Sequence, residues 1–381
     1  MDDPPSKHRI LTLLTALLEA SKDLHTKTTP FSTLNPDSID TLLNLETKAI
    51  TVFSTDPNLH PLTHTLSTLK TLIENLHSCQ GYNPNSLLRR HITTYKISQT
   101  AITFEAEIQA YIDRVTVHDL VTTLQQPHGE DEQVNALVEF EQRLAQGFDL
   151  GFQDLVLRAK VFTVLERTLF EPLSSKRVKE EAAVAIAALV KFNKNVFVGL
   201  VLMGPTIKAL IAMASTCSVQ VLTSLVRFIR SPLVDEILSH GEIPTIVGFL
   251  RLQDLSLCAA ALDCVMEIAY IGRMEVVEAM FQENLVKILM ELQRKGSESG
   301  DSSYDVEENR GREKYEGVEE FDAVFAGCVS RFAIQLEVGE GLTSEEKTEV
   351  KLEVLKMVKK ASQSDAECAT VSAEILWGST P

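Results

Sequence analysis

His60 and His64, in the run His60-Pro61-Leu62-Thr63-His64, have the spacing at which one helix face can offer two imidazoles to a zinc ion. Zinc needs three or four ligands. Neither the glutamate of an H-E-x-x-H motif nor a third ligand lies near the pair, which therefore reads as an exposed helix start. The six cysteines, Cys79, Cys217, Cys258, Cys264, Cys328 and Cys368, are scattered through helical patterns without a C-x-x-C pair, and they read as reduced, buried thiols. No G-x-S-x-G elbow, phosphate-binding loop or dinucleotide glycine fingerprint occurs, and the acidic residues form no inward-facing pair, so the chain implies no catalytic residue, metal or cofactor. One stretch invites modification instead. Gly296 to Gly317 is rich in Gly, Ser and acid and is expected to be a disordered acidic loop, with Ser299, Ser302 and Ser303 beside carboxylates as candidate phosphorylation sites.

The elements that must position any function are helices. In 381 residues, 44% of them apolar, Leu, Ala, Glu and Lys recur at spacings of three and four, and no run alternates like a strand, so the fold class is all-α. The net charge is −17, and residues 296–381, with 9 basic and 19 acidic side chains, carry −10 of it. Nucleic-acid binding needs clustered Lys and Arg, and only short pairs such as Arg89-Arg90 exist, which excludes DNA or RNA as a partner class. Residues 209–226 are uncharged, yet they carry Ser215, Thr216, Ser218, Gln220, Thr223 and Ser224 and read as two solenoid helices rather than an integral membrane segment. The start of the chain lacks a signal-peptide cleavage site, so the expected location is cytoplasmic or nuclear.

The first 126 residues predict a four-helix bundle, with helices near 6–27, 36–54, 58–79 and 85–125 started by Asn-Pro or Asp-Pro signals. Residues 127–132 read as a linker. Repeats then emerge at 133–295. Ala182, Ile186 and Leu189 align with Val221, Leu225 and Phe228, and again with Ala261, Val265 and Ile268, the i, i+4, i+7 pattern of one buried helix face. Each stretch leads through a turn into a second apolar helix: Gly204-Pro205 before Ile207, Gly241 before Ile243, and Glu283-Asn284 before Leu285. A degenerate unit is expected at 133–172, and a terminal unit with a charged cap at 318–381. Thr343-x-x-Glu346 and Ser364-x-x-Glu367 there read as capping boxes.

The segments EEAAVAIAALV (Glu180 to Val190) and HGEIPTIVGFL (His240 to Leu250) resemble the third and second helices of the armadillo repeat over about 250 residues. A helical bundle followed by such repeats, and the closing VSAEILWGSTP, are similar to plant U-box/armadillo proteins, although no U-box stands between bundle and repeats. The resemblance implies an armadillo-type α-α superhelix whose third helices line a concave groove for a protein partner, a scaffold without enzymatic activity. The asparagine ladder of importin-type members is absent, its positions being Ala188, Arg227 and Glu267, and Trp377 is the only tryptophan. A groove carrying Lys191, Arg227, Arg230 and Glu267 would then recognise a mixed-charge partner, with Arg227 and Arg230 on an acidic ligand. Two further roles are weighed: peripheral membrane contact through the apolar helix Ile10 to Leu18, and service in a ubiquitin ligase complex that depends on a partner ligase.

Overall fold

The computed structural model describes residues 4–26, 53, 59–78, 84–126, 129–301 and 324–377, and among these every regular element is a helix. The chain divides into two compact units, Met1–Thr122 with Asp149–Ala159, and Thr123–Phe148 with Lys160–Pro381.

In the first unit, helices α1 (Pro4–Thr26), α2 (His60–Ser78) and α3 (Pro84–Gln125) share one apolar core. Leu14 and Leu17 of α1, Leu62, Leu66, Leu69 and Ile73 of α2, and Ile97, Phe104 and Ile108 of α3 are all buried in it. Each set repeats at three, four or seven residues, which is why these faces turn inward. Phe53 joins the same core, while the rest of the expected 36–54 helix lies outside the described residues. The nine-residue helix α5 (Leu150–Arg158) also belongs to this unit, started by the Asp149 carboxylate accepting from the Phe152 N–H at 2.7 Å.

The second unit is an armadillo-type α-α solenoid. Its long helices α4 (Glu130–Ala145), α7 (Lys176–Phe192), α10 (Thr216–Ile229), α13 (Leu255–Ile271) and α16 (Cys328–Val338) pack side by side, each against the next. Between them run the connecting helices, all but the last of ten residues or fewer. These are α6 (Val161–Phe170), then α8 (Lys194–Met203) with α9 (Thr206–Met213), α11 (Ser231–Ser239) with α12 (Ile243–Phe249), and α14 (Met274–Gln282) with α15 (Leu285–Asp301). Helices α17 (Ser344–Ala361) and α18 (Asp365–Trp377) close the row. The anchors Ala182, Ile186, Leu189, Val221, Leu225, Ala261, Val265 and Ile268 are buried as the repeat alignment requires, but Phe228 is exposed and Ile229 takes its place in the core.

Local chemistry explains the recurring bends. Ser175, Ser215 and Asp254 cap three successive long helices, each accepting from the N–H three residues on. The turns entering α6, α12 and α15 use left-handed residues, Lys160, Gly241 and Asn284 with φ of 53°, 69° and 58°. Glycine and asparagine tolerate that region most readily. At Gly204-Pro205 the turn is made differently, and α8 and α9 meet at 71°. The uncharged run 209–226 is likewise broken, by the turn between α9 and α10, and among the described residues no single helix is long and apolar enough to cross a membrane.

Three boundaries differ from the sequence reading. Helix α4 starts at Glu130, inside the expected linker, because Glu130, Asp131 and Glu132 suit the positive end of a helix dipole. Helix α15 runs to Asp301, through the first residues of the expected acidic loop, since extending a formed helix is far cheaper than starting one. Residues 302–323, including Ser302 and Ser303, lie outside the described residues. Helix α16 does not open a terminal unit at 318: it packs on α13 and α15 and so completes the repeat begun by α14. The insertion therefore splits a repeat between its second and third helices. Of the two expected capping boxes, Thr343–Glu346 is complete, whereas Glu367 reaches back to the N–H of Gln363 at 2.7 Å rather than to that of Ser364.

Candidate functional site

The row α7, α10, α13 and α16 presents outward-facing side chains, and one ion pair joins two neighbours in it. Arg227 Nε of α10 lies 2.8 Å from Glu267 Oε1 of α13, joining the two positions that the repeat alignment makes equivalent. Beside the pair is a recess of about 260 Å³ lined by Arg227, Asp263, Met266, Glu267, Arg331, Ile334 and Gln335. The two guanidinium groups are partly engaged, Arg227 with Glu267 and Arg331 with the Val324 carbonyl at 2.8 Å. Asp263 is exposed and has no ion-pair partner among the described residues. The recess thus offers a free carboxylate, an amide, an apolar wall in Ile334 and an exchangeable guanidinium.

Arg230 stands at the end of the same helix but in a separate cluster. It follows α10 with φ 70° and ψ −139°, a region costly for any side chain, and its guanidinium pairs with the Glu340 carboxylate. Glu340 lies in the loop after α16 and also donates its N–H to the Tyr270 carbonyl at 2.7 Å. Gly339 and Gly341 let that loop lie against the end of α13, since a Cβ on either would overlap carbonyl oxygens of Tyr270, Ile271 or Gly272. Lys191 is exposed on the last turn of α7 and makes no ion pair among the described residues. Of the four residues singled out from the sequence, the structure joins Arg227 to Glu267, ties Arg230 elsewhere and leaves Lys191 alone. Ser299 falls in α15.

Arg331 and Gln335 escape the sequence reading because the insertion before α16 hides its place in the repeat series, and Asp263, on the well-marked α13, because only the placement of α16 beside it makes a recess there. The signal was the apolar run Cys328, Val329, Phe332, Ala333 and Leu336, all now buried.

Of the cysteines expected to be buried, Cys258, Cys264 and Cys328 are, Cys217 and Cys368 are half-buried, and Cys79 lies outside the described residues; four of the thiols are chemically quiet. Burial pushes Cys264 and Cys328 up to about 12 and Cys217 and Cys258 up to about 11, so each stays protonated. One carboxyl is unusual: burial first, and the neighbouring Glu181 second, raise Glu141 on α4 to about 7, and its Oε1 is buried without a hydrogen-bond partner. Among the described residues no group of three or more His, Cys, Asp or Glu could hold a metal ion, and His60 and His64 are exposed on α2.

Among solved structures, the chain is similar in fold to designed armadillo repeat proteins. A designed armadillo repeat protein, YIII(Dq)4CqI, is 16% identical with a TM-score of 0.41, over 68% of this chain and 98% of its own. Another, solved in complex with the peptide (KR)4, is 16% identical with a TM-score of 0.42, over 68% and 97%. A third, computationally designed for modular peptide recognition, is 17% identical with a TM-score of 0.40, over 67% and 98%. No family model and no curated protein matches the chain.

Proposed function

We propose that this protein is a non-enzymatic scaffold that binds a partner protein along the outward faces of its third helices. The observation that carries the reading is the Arg227–Glu267 pair beside the recess with Asp263. An exposed pair of this kind is worth at most about 1 kcal/mol, so a ligand carboxylate can take over Arg227 at small cost. A basic ligand side chain then meets the freed Glu267 or the unpaired Asp263. The partner is accordingly a segment of mixed charge, and Lys191 and Arg230 extend the basic side of the surface. The descent from plant U-box/armadillo proteins, the cytoplasmic or nuclear location, and phosphorylation at Ser299, Ser302 and Ser303 belong to the same proposal.

The membrane-tether reading, which rests on the apolar helix Ile10 to Leu18, is the less favoured one: Leu14, Leu17 and Leu18 of that helix are buried in the core of the first unit, and Ile10 and Leu13 pack against it.

The test is co-purification from the native source with the full chain, against Arg227→Glu and Asp263→Lys variants. Loss of a shared set of proteins in both variants, with unchanged circular dichroism, is the expected result. Retention of every partner by both variants would sink the proposal.

A further inference from the structure

Within the first unit, one face of α3 is both apolar and exposed. Helix α3 buries Ile97, Ala101, Phe104 and Ile108 in its core. At 100° per residue the opposite side of that helix carries Leu88, Ile92, Tyr95, Gln99 and Ile102. The apolar ones among them are open to solvent, with exposures of 61%, 46%, 62% and 39% for Leu88, Ile92, Tyr95 and Ile102. Their spacing alternates four and three, the seam of a coiled coil, in which a knob every 3.5 residues faces a partner helix. Ala106 and Gln109 continue the seam into a cleft of about 840 Å³, walled by Leu18, Phe152 and Leu155.

Charge says what covers it. From residue 84 to 104 there is no acidic side chain, while Arg89 and Lys96 flank the seam on one side and His91 on the other, in a chain whose net charge is −17. None of these three makes an ion pair among the described residues. On a strongly acidic protein, an unpaired basic edge along an exposed apolar seam is complementary to an acidic amphipathic helix. A membrane surface fits less well, because the apolar ridge is only one heptad seam wide and its far end runs into a cleft, a concave surface that a flat bilayer does not follow but a helix can enter.

We infer that the ridge Leu88-Ile92-Tyr95-Ile102 of α3 is a docking site for an amphipathic helix of a partner protein whose flanking positions are acidic.

The full chain is titrated, by fluorescence anisotropy, with a synthetic peptide of about three heptads bearing Leu at the seam positions and Glu at the flanks, and with its Lys-flanked counterpart. The Glu-flanked peptide is expected to bind at least about tenfold more tightly, and Leu88→Glu to lose about tenfold of that affinity. The double variant R89E/K96E should reverse the preference, a gain that misfolding cannot imitate. Equal binding of the two peptides, or binding of neither, overturns the inference. So does a dimer by light scattering that Leu88→Glu dissociates, which would give the ridge to a second copy. Flotation with phosphatidylserine vesicles that depends on Leu88 and Tyr95 would give it to a membrane.

Discussion

Replacing Glu141 by glutamine should stabilise the protein at neutral and higher pH and do little in mild acid. The carboxyl lies on α4 facing α7, with Oε1 buried and unpartnered. Burial, followed by the charge of Glu181, raises it from 4.5 to about 7. A folded-state value above the unfolded one means that the unfolded chain surrenders its proton first as pH rises. Folding is then penalised increasingly between pH 4.5 and about 7, and the penalty is complete above that. A difference of about 2.5 pH units corresponds to about 3.4 kcal/mol. The side chain keeps part of its solvent contact, so screening reduces this to about 1–2 kcal/mol. Glutamine keeps the volume and removes the charge. In urea unfolding, Glu141→Gln should exceed the wild type by about 1–2 kcal/mol near pH 8 and by only a few tenths near pH 5. Glu181→Gln should act in the same direction and less strongly, its charge being the smaller cause. A stability difference that stays the same at both pH values, or that favours the wild type near pH 8, would refute the reasoning.

Three further substitutions and one double-mutant cycle probe the solenoid. Gly341→Ala, whose Cβ would overlap the Ile271 and Gly272 carbonyls, should cost about 1–3 kcal/mol and show first as lost hydrogen-exchange protection in α16 to α18. Thr343→Ala removes the capping box of α17 and should lower stability by about 1 kcal/mol in chemical denaturation. Phe197→Ala empties a fully buried site beside Phe162, their ring centroids 6.4 Å apart, and should cost about 3–5 kcal/mol. A double-mutant cycle on Arg227 and Glu267 should return a coupling below about 1 kcal/mol that shrinks further in salt.

Helices α7, α10 and α13 could be read from the chain because each carries its own evidence, a capping Ser or Asp and a repeating buried face. Ala182, Ile186 and Leu189 announced α7 without help from any other segment. What could not be read were features decided by neighbours. Phe228 fits the buried pattern as well as Ile229 does, and only the turn at Arg230 settles which of them enters the core. The Glu340 contacts join residues far apart in sequence, across a loop whose glycines look like any loop glycines until α13 is seen beside them. The α3 ridge stayed hidden for the opposite reason. A helix apolar on two sides predicts burial on both, and only the packing of α1 and α2 reveals which side was left open.

The insertion inside the α14–α15–α16 repeat separates the continuity of the solenoid from the continuity of the chain. Helix α16 takes its place through its apolar faces on α13 and α15, not through a short connection to the helix before it. Loop-closure entropy grows only logarithmically, each doubling of a flexible connection costing about 0.6 kcal/mol. What holds the row of third helices together at this point is therefore contact between helices distant in sequence, and a repeat of this kind can be completed by a helix that the chain supplies late.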